Sequence, residues 1–116
     1  MKLHLTEQDQ EDLSAVAAYL DNHYAFSVPI ERLCRISFMG QTKLKAAFKE
    51  CFGCTLYDYI LQKRIGQAQH LLMGTELSIA EIAQAVGYDR SESFAKQFQR
   101  VTGLLPREYR KLINKE

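Results

Sequence analysis

Residues 82–98 read IAQAVGYDRSESFAKQF. Ile82, Ala83 and Val86 keep the spacing of one apolar helix face, the pattern breaks over Gly-Tyr-Asp-Arg-Ser, and it resumes at Phe94 and Phe98. A short helix, a sharp glycine-containing turn and a second helix crossing the first make a helix-turn-helix. In that layout Ala83 is small because the helices approach closely, and Gly87 supplies the unusual backbone of the turn. Tyr88, Phe94 and Phe98 form the unit's small core. Asp89, Arg90, Ser91, Glu92, Ala95 and Lys96 are left on the outward start of the second helix, a small-polar and basic surface suited to a groove.

The same unit occurs earlier in the chain. FKECFGCTLYDY (48–59) set above FQRVTGLLPREY (98–109) matches Phe48 with Phe98, Gly53 with Gly103 and Tyr59 with Tyr109 at identical spacing. Further back, LCRIS (33–37) meets IAQAV (82–86), with one extra residue in the second copy's turn. A long helix from Leu56 to Met73 joins the copies, with Gly66 inside it at a cost of roughly 1 kcal/mol relative to alanine.

Punctuation along the chain predicts seven helices and no strand. Thr6 with Asp9 opens a first helix bearing Leu13, Val16, Ala17 and Leu20, and Pro29 fits the first turn of a short second helix through Leu33 and Cys34. Leu44, Ala47, Phe48 and Cys51 mark a third, which Gly53 ends. Ser78 with Glu81 is a capping box for the fifth, Gly103 ends a sixth bearing Phe94, Phe98 and Val101, and Pro106 opens a seventh with Tyr109 and Leu112. The expected all-α organisation is a first helix-turn-helix subdomain at about 8–54, a linker helix at about 55–74 and a second subdomain at about 75–113.

With 116 residues, 47% of them apolar and 25% charged, the composition is that of one globular domain or two very small ones. No run approaches a membrane span and the N-terminus lacks the layout of a secretory signal, so a cytoplasmic protein with no membrane partner is expected. The formal net charge of +1 hides an uneven distribution. Residues 1–33 hold two basic and six acidic residues, whereas residues 34–116 hold thirteen basic and eight acidic.

The stretch SIAEIAQAVGYDRSESFAKQFQRVTGLLPREYR (78–110) closely resembles the second helix-turn-helix signature of the AraC/XylS family of bacterial transcription regulators. LKAAFKECFG (44–53), Tyr59, Arg64, Ala68 and the leucines at 71–72 resemble the family's first unit and linker helix, so the likeness covers roughly residues 13–112. Within the family, TKLKAAFKECFG is similar to siderophore-responsive PchR-like regulators. The resemblance implies insertion of both recognition helices into one face of double-stranded DNA. Eighteen residues of linker helix span about 27 Å, which suits entry of successive major grooves about 34 Å apart by a monomer and an asymmetric site.

By that resemblance the first reading helix presents Gln41, Thr42, Lys45 and Ala46 to base edges, with Lys43 and Lys49 nearer phosphates. Lys45 would donate to guanine, Gln41 would pair with adenine, and the Thr42 methyl would meet a thymine methyl. In the second unit Arg90, Ser91, Glu92 and Lys96 are the candidates, Glu92 accepting from cytosine and Arg90 and Lys96 contacting guanine or phosphate, and Arg100 is a further phosphate candidate. Pro29 stands where the family often has a serine cap, Gly66 where it has a good helix former, and Ala46 where many members carry a basic residue. Ser91 and Asp89 alternatively cap the helix. Family members commonly carry a preceding sensory or dimerising domain, and RNA polymerase is an expected partner. A protein-interaction module of the same fold is the competing reading.

Cys51 and Cys54 form a lone C-x-x-C. No second pair of ligands accompanies it, so buried packing rather than metal or redox chemistry is its expected role, and the odd count of three cysteines suits a reducing compartment. His4, His23 and His70 are isolated, with no nucleophile to serve. Neither an enzyme nor a cofactor is expected.

Overall fold

A computed structural model describes residues 4–113, which form seven helices with no strand among the described residues. They are α1 (Glu7–His23), α2 (Ile30–Ser37), α3 (Gln41–Phe52), α4 (Leu56–Gly74), α5 (Ile79–Ala85), α6 (Ser91–Thr102) and α7 (Pro106–Ile113). The chain divides between Leu61 and Gln62 into two compact units, so α4 gives its first residues to one unit and the rest to the other.

In the first unit α1, α2 and α3 pack on one another around Leu13, Val16, Leu20, Leu33, Leu44 and Phe48. Both halves of the capping box at α1 are made: the Thr6 hydroxyl accepts from the Asp9 amide at 3.0 Å, and the Thr6 amide donates to the Asp9 carboxylate at 3.1 Å. Pro29 stands just outside α2, at its N-cap, not within the first turn. The Tyr59 hydroxyl donates to Asp21 Oδ1 at 2.7 Å. Burial first, then this bond and the Asp21 charge, push the Tyr59 phenol up to about 12.

In the second unit α6 packs against α5 and α7, and Ile82, Val86, Phe94 and Phe98 are fully buried. Ser78 and Glu81 make the second capping box, with bonds of 3.0 and 2.8 Å. Arg110 on α7 ties the exit of α4 to the loop that follows. Its guanidinium donates to the carbonyls of Leu72 (3.2 Å), Thr75 (3.2 Å) and Leu77 (2.7 Å), the last turn and connection that α4's own ladder leaves without amide partners.

The repeat is exact in its exits. Phe48 and Tyr59 meet edge to face at 5.4 Å, and so do Phe98 and Tyr109. Gly53 and Gly103 take φ of 79° and 85°, and each donates its amide back four residues at 2.8 Å. Three apolar assignments fail. Val101 and Leu112 are exposed, and Cys51 is exposed with Cys54 only half-buried. Cys51 and Val101 sit at matching places one turn beyond the buried Phe48 and Phe98.

Candidate nucleic-acid interface

Each unit contains the bend predicted from sequence. In the second, Gly87 takes a φ of 105° and the Tyr88 amide donates to Ala83 O at 2.8 Å. In the first, the Met39 amide donates to Cys34 O at 3.3 Å, the matching residue of the repeat. The left-handed position there is filled by Phe38, at φ 57° and ψ 31°, with 85% of its surface exposed. It is the only non-glycine residue with positive φ among those described.

The two turns are held differently. Ser37, 1% exposed, donates its hydroxyl to Cys34 O and accepts the Met39 amide, both at 3.2 Å, so the first turn is bonded from within. Val86 occupies the matching place in the second copy and has no hydroxyl. There Arg64, on α4, donates to Gly87 O at 3.3 Å and lies 5.2 Å from the centre of the Tyr88 ring. Tyr88 in turn packs on Phe94 of α6.

Leu44, Ala47 and Phe48 bury one face of α3, which turns Gln41, Thr42, Lys45, Ala46 and Lys49 to solvent on the other. Lys43 is also exposed, but its Nζ lies 3.5 Å from Asp9 Oδ1 on α1. The Thr6 amide foremost, with Lys43 adding to it, holds the Asp9 carboxyl below its ordinary value. On α6 the buried Phe94 and Phe98 leave Glu92, Lys96 and Arg100 exposed, with Ser91 half-buried. Arg100 donates to Gln97 Oε1 at 3.2 Å.

Arg90 is the N-cap of α6 through its backbone alone, so neither Ser91 nor Asp89 caps the helix. Gly40 precedes α3 likewise without a side-chain cap. Both α3 and α6 therefore start with first-turn amides that no cap side chain occupies, unlike α1 and α5. Such amides suit an anionic acceptor, as do the lysines and arginines beside them. The sequence placed Asp9 in the α1 cap but did not pair it with Lys43, 34 residues away, and assigned Arg64 no contact.

The family model described as a helix-turn-helix domain matches residues 33–112. The chain is 34% identical over 100 residues to the HTH-type transcriptional activator RhaR of Cronobacter sakazakii, covering 86% of this chain and 35% of that protein. It is similar to the C-terminal domain of the two-component response regulator yesN from Fusobacterium nucleatum, at 30% identity and a TM-score of 0.78, covering 84% of this chain and 95% of that one. A transcriptional regulator from Chromobacterium violaceum, described as an AraC-type DNA-binding domain-containing protein, shares the fold at 21% identity and a TM-score of 0.82, covering 95% and 98%. The chain spans about a third of the length of the curated relatives it matches.

Proposed function

The chain belongs to the helix-turn-helix family of AraC-type regulators, and from that premise we propose that it binds double-stranded DNA sequence-specifically as a bacterial transcription regulator or as the DNA-binding part of one. The observation that carries the reading is the registered pair of units, each turning the start of an uncapped helix with exposed basic residues to solvent.

In this reading 8–54 and 75–113 are the two reading subdomains, 55–74 is the linker, and α3 and α6 enter successive major grooves. Gln41, Thr42 and Lys45, with Arg90, Ser91, Glu92 and Lys96, face base edges. Lys43, Lys49 and Arg100 neutralise phosphates, Lys43 exchanging Asp9 for one of them. Phosphate neutralisation and counterion release supply most of the affinity, and the two short sets of base contacts supply selectivity. No catalytic step is part of this function, and the cytoplasm is the setting of a bacterial DNA-binding regulator; no helix of the described residues is long and apolar enough to cross a membrane. The greater length of the curated relatives supports a companion domain with a sensory or dimerising role, and the description of one of them as a transcriptional activator supports RNA polymerase as a partner. Nothing in the relatives named above supports the siderophore-regulator subgroup.

Selection of bound duplexes from a random pool, at two salt concentrations, tests the proposal. The expected result is an asymmetric motif with two information-rich blocks about one helical turn apart, and binding that weakens by orders of magnitude as salt rises. No enrichment together with salt-insensitive binding would refute it and favour a protein-interaction module.

A further inference from the structure

We propose that Arg64 is a positioning residue for the second reading helix alone, so that α4 governs base selectivity at one half of the DNA site independently of the other. The inference rests on the DNA-binding reading above. It starts from the asymmetry between the turns. The first is closed by residues within five positions of one another, Cys34, Ser37 and Met39. The second has Val86 where the first has Ser37, and a side chain 23 residues away supplies the missing polar contact.

Arg64 acts on the two residues that set the direction of α6. Gly87 carries the positive φ that turns the chain, and its carbonyl receives the guanidinium. Tyr88 lies beneath the cation and packs on Phe94, the first buried residue of α6. A guanidinium is planar and can bond a carbonyl while lying over a ring, so one side chain fixes both peptide and ring. Without it the Gly87 carbonyl turns to water, and glycine gives the turn freedom that no β-carbon limits. The start of α6 is where Arg90, Ser91 and Glu92 sit, only three to five residues past Gly87. Base contacts tolerate little displacement, so a loosened turn costs selectivity more than it costs phosphate binding. The first turn has its own closure and does not feel the change.

The experiment compares wild type, Arg64→Ala, Arg64→Gln and Arg64→Lys in the full 116-residue chain. Each is assayed on the selected duplex and on two derivatives, one with each information block scrambled. Lys45→Ala and Lys96→Ala identify which block belongs to α3 and which to α6. Arg64→Ala is expected to lower discrimination against the α6-block scramble about tenfold while leaving discrimination against the α3-block scramble within twofold. Arg64→Lys, which keeps the cation but not the plane that bonds the carbonyl while lying over the ring, is expected to recover part of the loss, less than half on a logarithmic scale. Should Arg64→Ala unfold by circular dichroism, Arg64→Gln carries the same contrast with the stem retained. Equal losses at both blocks, no loss at either, or a lysine variant no better than alanine would overturn the inference. A wild-type chain that discriminates against neither scramble would overturn the DNA-binding reading itself.

Discussion

Replacing Phe38 by glycine should stabilise the protein, although it deletes an aromatic ring. Phe38 holds φ 57° and ψ 31°, where a residue with a β-carbon carries about 1–2 kcal/mol of local strain. Glycine removes that strain but gives the unfolded chain more freedom, at a cost of about 0.5–1 kcal/mol relative to alanine. Because the ring is 85% exposed, removing it forfeits only about 0.3 kcal/mol of burial. The balance is a gain of about 0.5 kcal/mol. Phe38→Ala keeps the strain and loses the ring, so it should lower stability by about 0.3 kcal/mol. Urea denaturation followed by far-ultraviolet circular dichroism measures both, and amide hydrogen exchange in α2 and α3 places the change in the first unit. The order glycine, phenylalanine, alanine, from most to least stable, is the prediction. Finding glycine no more stable than alanine would refute the assignment of strain to this backbone.

Arg110→Ala should destabilise the second unit by about 2–3 kcal/mol in the same assay, because three carbonyls lose a charged donor, and Arg110→Lys should recover little, since one ammonium cannot serve all three in the guanidinium plane. Asp9 and Glu81 both have lowered pKa values, first through bonds from the Thr6 and Ser78 amides. Their contribution to stability is therefore complete above the ordinary carboxylate range and is lost as pH falls through the depressed values, so Asp9→Asn combined with Glu81→Gln should flatten the acid limb of a stability profile. Tyr59 has the opposite sign: with its phenol raised from 10.0 to about 12, its contribution is full below pH 10 and is lost as pH rises through the higher value. Absorbance titration should show Tyr59 ionising late, and Asp21→Asn should move it only partway down because burial is the larger cause.

Much of the fold was legible because the features that start and stop helices are local. Thr6 with Asp9, Ser78 with Glu81, and Gly53 and Gly103 each announce a boundary within four residues, and the boundaries fall there. Phe38 takes the left-handed place in the first turn that Gly87 takes in the second, yet a phenylalanine carries no mark of a left-handed turn, since sterics argue against it there. Cys51, Val101 and Leu112 have the right period to be buried yet are exposed, because period alone does not report which turns of a helix meet a neighbour. At the candidate interface, exposure of Glu92 and Lys96 followed from the same periodicity that buried Phe94 and Phe98, whereas Gln41, Thr42, Lys45, Lys49 and Arg100 came from the family resemblance. The pairing of Lys43 with Asp9 and the reach of Arg64 to Gly87 did not, because each joins residues brought together only by packing between helices.

The matched exits of α3 and α6, glycine then an edge-to-face phenylalanine and tyrosine, have a historical meaning. Two halves that keep one internal joint while differing in the residues turned outward have the character of an ancient duplication, in which the joint was inherited and the outward surfaces were free to diversify. The same property makes the protein a natural starting point for engineering. Outward residues of one half can be transplanted onto the other without disturbing the joint, so new combinations of the two surfaces can be assembled by exchange instead of redesign.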